Sequence, residues 1–192
     1  MPRRTRTAED RAAAGVSTPA TRLQSLPPRA RSDARLLILG SMPGTASLRA
    51  QRYYAHPQNQ FWRLLGELLG FDPALPYEAR IDAMQQAGIA LWDVLHSCER
   101  PGSLDADIVR DSLQVNDFAG FFAAHPQIQH VGFNGAAAEQ LFMRHVAPQL
   151  VLPQPLRYRR LPSSSPANAA ISGADKLHSW RQLIDESLKT PR

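Results

Sequence analysis

The chain has 192 residues, a hydrophobic content of 43% and a formal net charge of +5, which suits one globular domain with a core of its own. The single cysteine, Cys98, excludes a disulfide framework within one chain and any metal or iron–sulfur site made only of cysteines. Because the chain has one cysteine, we expect a protein of the reducing cytoplasm. No apolar run approaches membrane-spanning length.

Most of the net charge lies near the amino terminus, where residues 1–34 hold seven arginines against three acidic residues. Small polar residues, alanines and prolines separate these arginines, so the segment buries too little apolar surface to offset its ordering entropy. The sequence predicts a disordered basic tail over residues 1–33 and a single domain over residues 34–192. Such a tail either adds non-specific affinity for nucleic acid or only raises solubility. A mitochondrial presequence fits less well, because Glu9 and Asp10 break its acid-poor pattern.

Strands and helices alternate along the rest of the chain. Four short apolar runs predict buried strands, at residues 36–39, 89–95, 128–133 and 158–161. Helical spacing or helix-start residues predict helices from Phe61, over residues 77–87, after Asp117, after Asn134-Gly135 and from about Ala174. This order predicts an α/β fold, a three-layer α/β/α sandwich with a four-stranded, mainly parallel central sheet. Residues 96–116 indicate a long excursion with at most one short helix.

Polar or glycine-bearing segments follow all four predicted strands. Because ligands of parallel sheets bind beyond the carboxyl ends of the strands, we expect these segments to meet at one site. They are residues 40–59, 93–97, 134–135 and 162–168.

Several chemistries are excluded by the motifs that they need. A phosphate loop requires a lysine after its glycines, but the only lysines, Lys176 and Lys189, lie near the carboxyl terminus. The dinucleotide fingerprint is missing, and residues 40–44 do not form the Gly-x-Ser-x-Gly turn of serine hydrolases. The six histidines show no metal-ligand spacing, so we expect no metal and no cofactor.

Four motifs occur in order: Gly40 to Gly44, Tyr53 to Trp62, Leu91 to Val94 and Leu161 to Asn168. Together they resemble the uracil-DNA glycosylase superfamily, and most of all its hypoxanthine-DNA (deoxyinosine) glycosylase branch. The resemblance covers roughly residues 35–188. It implies a base-excision repair enzyme that flips a deaminated base out of duplex DNA and hydrolyses its N-glycosidic bond.

The resemblance also implies partners and site residues. The partner would be double-stranded DNA carrying a deaminated base, with no membrane, and the enzyme would be a cytoplasmic monomer, nucleoid-associated if bacterial. The base pocket would contain Gly40, Ser41, Met42, Pro43, Tyr54, His56, Phe61 and Asn134. The DNA contacts would come from Ser163, Ser164, Ser165, Pro166, Ala167 and Asn168.

Two positions depart from the best-known uracil-specific branch. Met42 stands where that branch has an aspartate that activates water, and Leu161 stands where it has a catalytic histidine. Asn59 becomes the candidate catalytic residue, because an amide can orient water or hydrogen-bond the leaving base. Its alternative role is that of a helix cap. The missing aspartate also predicts slow turnover on ordinary uracil.

Other interpretations remain open from the sequence. Tyr54 could be a core aromatic, and Asn134 could be part of a turn. The serine-rich loop, residues 163–168, could be a turn without function. The protein could be a uracil or mismatch glycosylase with a different base preference, a catalytically weak binder of damaged DNA, or a hydrolase of small nucleotides. No large apolar residue stands in residues 163–168, so filling of the gap left by a flipped base would either be poor or fall to Pro166 or Ala167.

Overall fold

The computed structural model describes residues 22–188. The strands are β1 (Arg22–Gln24), β2 (Leu36–Gly40), β3 (Ile89–Asp93), β4 (Leu95–Glu99), β5 (Gln114–Val115), β6 (His130–Asn134) and β7 (Arg157–Leu161). The α-helices are α1 (Thr45–Ala50), α2 (Phe61–Leu69), α3 (Tyr77–Gln86), α4 (Phe118–Ala124), α5 (Ala136–His145) and α6 (Gly173–Leu188). Short 3-10 helices occupy Asp105–Asp107, Arg110–Ser112 and Ala147–Gln149. No helix within residues 22–188 is long and apolar enough to cross a membrane.

The central sheet has the strand order β3-β2-β6-β7, and all three pairings are parallel. Every residue of β2 is buried, which explains why its sequence is a continuous apolar run rather than an alternating one. The four-stranded sheet predicted from the sequence is therefore confirmed, and it is parallel throughout.

Helices cover both faces of this sheet. Consecutive residues of a strand point to opposite faces, and on β6 Gly132 faces Leu183 of α6 whereas the Phe133 ring packs against Phe142 of α5. Helix α2 joins the α6 side through an edge-to-face contact of Phe61 with Trp180, and α4 contacts α5. The result is the predicted α/β/α sandwich.

A second, smaller sheet corrects two expectations. Strand β4 follows β3 almost directly and pairs antiparallel with β1 and β5, so residues 96–116 are not simply an excursion from the fold. The first part of the expected tail is also ordered: β1 pairs with β4, Leu26 is buried, and Arg29 forms an antiparallel bridge to Leu91 of β3. These pairings use main-chain groups, which composition does not reveal. Residues 1–21 of the predicted tail lie outside the described residues.

The local sequence predicted the start of α4 but not helix α1. Asp117 caps α4 as predicted, since its side chain accepts a hydrogen bond from the Gly120 N–H at 2.9 Å. Helix α1 was not predicted, because its six residues follow Gly44 with no side-chain cap and are too few to show a period.

Substitution of Gly132 tests the packing of α6 on the sheet. A Cβ at this position would lie 2.4 Å from Leu183 Cδ2 and 3.3 Å from Leu161 Cδ1, so Gly132→Ala should lower the free energy of unfolding by about 1–3 kcal/mol. Urea denaturation measures the change. Gly173→Ala is the matched control, because nothing lies within 4 Å of its Cβ position. Equal stability of Gly132→Ala and the wild type would contradict the described packing.

Candidate active site

A cavity of about 310 Å³ lies where the strands of the central sheet end. Its size falls in the range of small-molecule sites. It collects residues from the ends of β2, β3 and β6, from the segments after β2 and β7, and from the loop after β4. Of the expected segment 93–97, Asp93 is the residue that lines it. The lining includes Gly40, Ser41, Met42, Pro43, Tyr54, His56, Asn59, Asp93, Asn134, Ser163, Ser164, Ser165, Pro166 and Ala167. Among the residues singled out from the sequence, Phe61 and Asn168 lie outside the lining.

Gly40 and Asp93 meet across the paired ends of β2 and β3. They are register partners, and a Cβ on Gly40 would lie only 2.2 Å from Asp93 Oδ1 and 3.2 Å from the Tyr54 hydroxyl. Glycine is therefore required here by the close approach of two polar side chains. The two strands stay joined beyond this point, because the Val94 N–H donates to the Gly40 carbonyl at 2.9 Å.

Asp93 is a carboxyl group held almost out of water, with 3% of the residue exposed. Burial raises its pKa to about 7, and the nearby Asp105 adds to the rise. Ser25 opposes it by donating from Oγ to Asp93 Oδ2 at 3.3 Å. The group is thus partly protonated near neutral pH. Sequence analysis placed residues 93–97 at the site but gave Asp93 no role of its own, although a lone acid in a buried strand was the available signal.

Asp105 ties the loop after β2 to the loop after β4. The Ser41 hydroxyl donates to Asp105 Oδ1 at 2.6 Å, and the buried Arg100 guanidinium lies 3.9 Å from the same oxygen. Arg100 also donates to the Pro43 carbonyl at 2.5 Å. Burial raises the pKa of Asp105, whereas Ser41 and Arg100 lower it. Sequence reasoning missed Arg100 and Asp105, because their roles depend on a contact some sixty residues away.

Tyr54 presents an aromatic ring and a buried hydroxyl to the cavity. Its backbone is left-handed, with φ of 54°, and its ring stacks on Phe61 with centroids 3.9 Å apart. Phe61 thus lies behind Tyr54 rather than in the cavity wall. The Tyr54 hydroxyl has no hydrogen-bond partner among residues 22–188. Burial and the nearby Asp93 raise its pKa, so the phenol stays neutral and can donate a hydrogen bond.

Asn134 and Ser164 hold the serine-rich loop in place. The Asn134 Nδ2 donates to Ser164 Oγ, and the Ser164 N–H donates back to Asn134 Oδ1, both at 2.8 Å. The Ser164 carbonyl also accepts from the Gln60 N–H at the start of α2. Both ends of the Asn134 amide are therefore engaged within the protein, and Ser164 is fully buried.

Asn59 lies both at the cavity and at the start of α2, which are the positions that its two candidate roles require. Its Oδ1 accepts from the Phe61 N–H at 3.0 Å, which supports the start of α2, and the residue also lines the cavity. The group that can serve a ligand is consequently the Nδ2 donor. His56 is exposed, and its Nδ1 accepts from the Gln58 N–H at 3.2 Å. Met42 packs in a small apolar cluster with Leu95 and Cys98.

Comparison with known families identifies the class of protein that has this fold and cavity. The profile of the uracil DNA glycosylase superfamily matches residues 27–185, and the chain belongs to this family. Two hypoxanthine DNA glycosylases are similar to it. One, from Methanosarcina barkeri, is 39% identical over 113 residues, which are 58% of this chain and 70% of that protein. The other, from Methanosarcina acetivorans, is 35% identical over 141 residues, which are 73% of this chain and 84% of that protein.

A solved structure extends the comparison to the fold. The solution NMR structure of a candidate uracil DNA glycosylase from Methanosarcina acetivorans superimposes with a TM-score of 0.70 at 30% identity. The match covers 86% of this chain and 98% of that one. The α/β/α sandwich is thus shared over nearly the whole domain.

The buried carboxyl of Asp93 predicts a pH-dependent stability. Its pKa of about 7 in the fold exceeds the ordinary 3.8, so the folded state binds the proton more tightly. The resulting stability is complete below pH 4 and is lost as the pH rises through 7. Relative to wild type, Asp93→Asn should therefore gain stability between pH 4 and pH 8, by on the order of 4 kcal/mol. Urea unfolding of both proteins across this range measures the gain, and parallel pH profiles would contradict it.

Proposed function

We propose that this protein is a monofunctional hypoxanthine DNA glycosylase that removes a deaminated base from double-stranded DNA. The observation that carries the proposal is the position of Asn59 on a base-sized cavity whose Met42 packs against Leu95 and Cys98. In that arrangement the site has an amide, and position 42 holds a methionine rather than an aspartate. The two similar hypoxanthine DNA glycosylases support the choice of base. We further propose a cytoplasmic enzyme that acts as a monomer.

The base would be held by groups that differ in chemistry. The Tyr54 ring offers a π-face, backed by Phe61, and the main chain from Gly40 to Pro43 offers hydrogen bonds to the base edge. The Tyr54 hydroxyl and the partly protonated Asp93 can both donate at the same end of the cavity. His56 lies at the exposed rim. Asn134 acts through Ser164, by fixing the adjoining wall of the pocket.

Bond cleavage would rely on fixed dipoles. Water attacks the sugar C1′ as the N-glycosidic bond breaks, and the base departs with the bonding electrons, so that negative charge develops on it. The proton that the water loses then neutralises the departed base. The Asn59 Nδ2 can donate to the leaving base or orient the water, and its geometry is fixed in advance by the bond from Oδ1 to the Phe61 N–H. A protonated Asp93 adds no negative charge against the departing base anion.

The serine-rich loop would contact the DNA backbone. Ser163, Ser165, Pro166, Ala167 and Asn168 are at least partly accessible, whereas Ser164 is buried and would act by positioning the loop. Hydroxyl and main-chain N–H groups suit phosphate contacts, which fix register without reading sequence.

A monofunctional mechanism fits the placement of Lys176. An enzyme that cuts the strand through a Schiff base needs an accessible amine in the pocket. Lys176 is 1% exposed, and its Nζ donates to the Asn168 carbonyl at 2.8 Å beneath the serine-rich loop. It is the one lysine in the described part of the chain, residues 22–188.

The proposal predicts release of free hypoxanthine from a duplex containing deoxyinosine, in the presence of a metal chelator. The strand should stay intact until alkali is added, and borohydride should trap no protein–DNA adduct. Matched duplexes with uracil or xanthine, and the free nucleoside deoxyinosine, test the base preference and the need for DNA. Release from the free nucleoside at the same rate would favour a small-molecule hydrolase, and no release from any duplex would refute the enzyme assignment.

Substitution at Asn59 separates chemistry from helix capping. Asn59→Ala should lower the single-turnover excision rate by on the order of 100-fold, because the Nδ2 donor is lost. Asn59→Asp keeps an oxygen for the Phe61 N–H but removes the donor, so it should lose activity while retaining the wild-type melting temperature. Wild-type excision by Asn59→Ala, together with a lowered melting temperature, would show that the residue serves only as a cap.

A further inference from the structure

Leu104 is a large apolar side chain that the fold leaves exposed at the edge of the cavity. The residue is 57% exposed and lines the cavity. A single exposed leucine is common on protein surfaces, so exposure alone carries no weight. Among the exposed large apolar residues described between positions 22 and 188, however, Leu104 is the one that lines this cavity. It also packs in neither apolar cluster, unlike Ile108 in the same loop.

The loop around Leu104 is anchored on both sides. Before it, the Ser103 Oγ accepts from the Thr45 N–H at 2.9 Å and donates to Thr45 Oγ1 at 2.8 Å. After it, Asp105 accepts from the Ser41 hydroxyl at 2.6 Å. Leu104 itself has an extended backbone, with φ of −83° and ψ of 133°. Its side chain is thus presented from a fixed main chain, which lowers the entropy lost when it binds.

Base flipping creates a need that such a side chain can meet. Turning a base out of a duplex leaves a gap between two apolar base faces, and proteins that open base steps commonly insert an apolar side chain. The serine-rich loop offers Pro166 and Ala167, to which the sequence analysis assigned this task. We infer instead that Leu104 enters the duplex and fills the gap, an inference that rests on the proposed function.

The test compares two duplexes that differ only opposite the deoxyinosine. One carries cytosine there, and the other carries a pyrene nucleotide, whose large ring fills the gap itself. On the cytosine duplex, Leu104→Ala should excise hypoxanthine about 10-fold more slowly than wild type, or worse, because the flipped state loses its apolar support. On the pyrene duplex, most of the lost rate should return. This rescue also shows that the variant is folded and chemically competent.

Ile171→Ala is the matched control. Ile171 is 37% exposed and lies in a surface cleft next to Ser163, Ser165 and Ala167, but not in the cavity. It should excise from both duplexes at the wild-type rate. A loss in Leu104→Ala that pyrene does not restore, or an equal loss in Ile171→Ala, would overturn the inference while leaving the proposed function intact. No excision by the wild type from either duplex would instead overturn the proposed function, and the inference with it.

Discussion

Parallel pairing on both sides of β2 is the constraint on which the site depends. Gly40 is the register partner of Asp93, Leu39 pairs with Phe133, and Asn134 pairs with Leu161. Because the strands run in one direction and start level, they also end level, and their last residues form one edge. A shift of two residues in any of these pairings would move a loop by almost 7 Å, and the cavity would lose one wall.

The same edge concentrates charge where water is scarce. Burial raises the pKa of Asp93, and partial burial raises that of Asp105, whose side chain is still 40% exposed. A hydroxyl donor opposes each rise, from Ser25 and from Ser41 respectively. A buried carboxylate such as that of Asp93 costs stability, which natural proteins tolerate mainly at functional positions. In an enzyme that expels a base as an anion, a protonated Asp93 would limit the repulsion that the product meets.

The central sheet and its helices were predictable, because each strand is a short apolar run and each long helix shows its period locally. Tyr54, Asn59 and the residues from Gly40 to Pro43 were accessible through their motifs, and the structure does place them on one cavity. Asp105, Arg100 and Leu104 were not, since their loop carries no pattern and gains its position from contacts to Ser41, Pro43 and Thr45. The pairing of β1 with β4 was not predicted for the same reason, because main-chain hydrogen bonds between distant segments do not show in the composition.

The strand order also has a consequence for folding during translation. The apolar run of β2 is synthesised early, but its two neighbours in the sheet come about fifty and ninety residues later. During translation both edges of β2 therefore stay unpaired until β3 has been synthesised. Pairing between strands so far apart in the chain is slow. Unpaired apolar strands invite association between chains. The arrangement that gathers the cavity at one edge of the sheet thus leaves β2 without its second sheet partner until β6 has been synthesised.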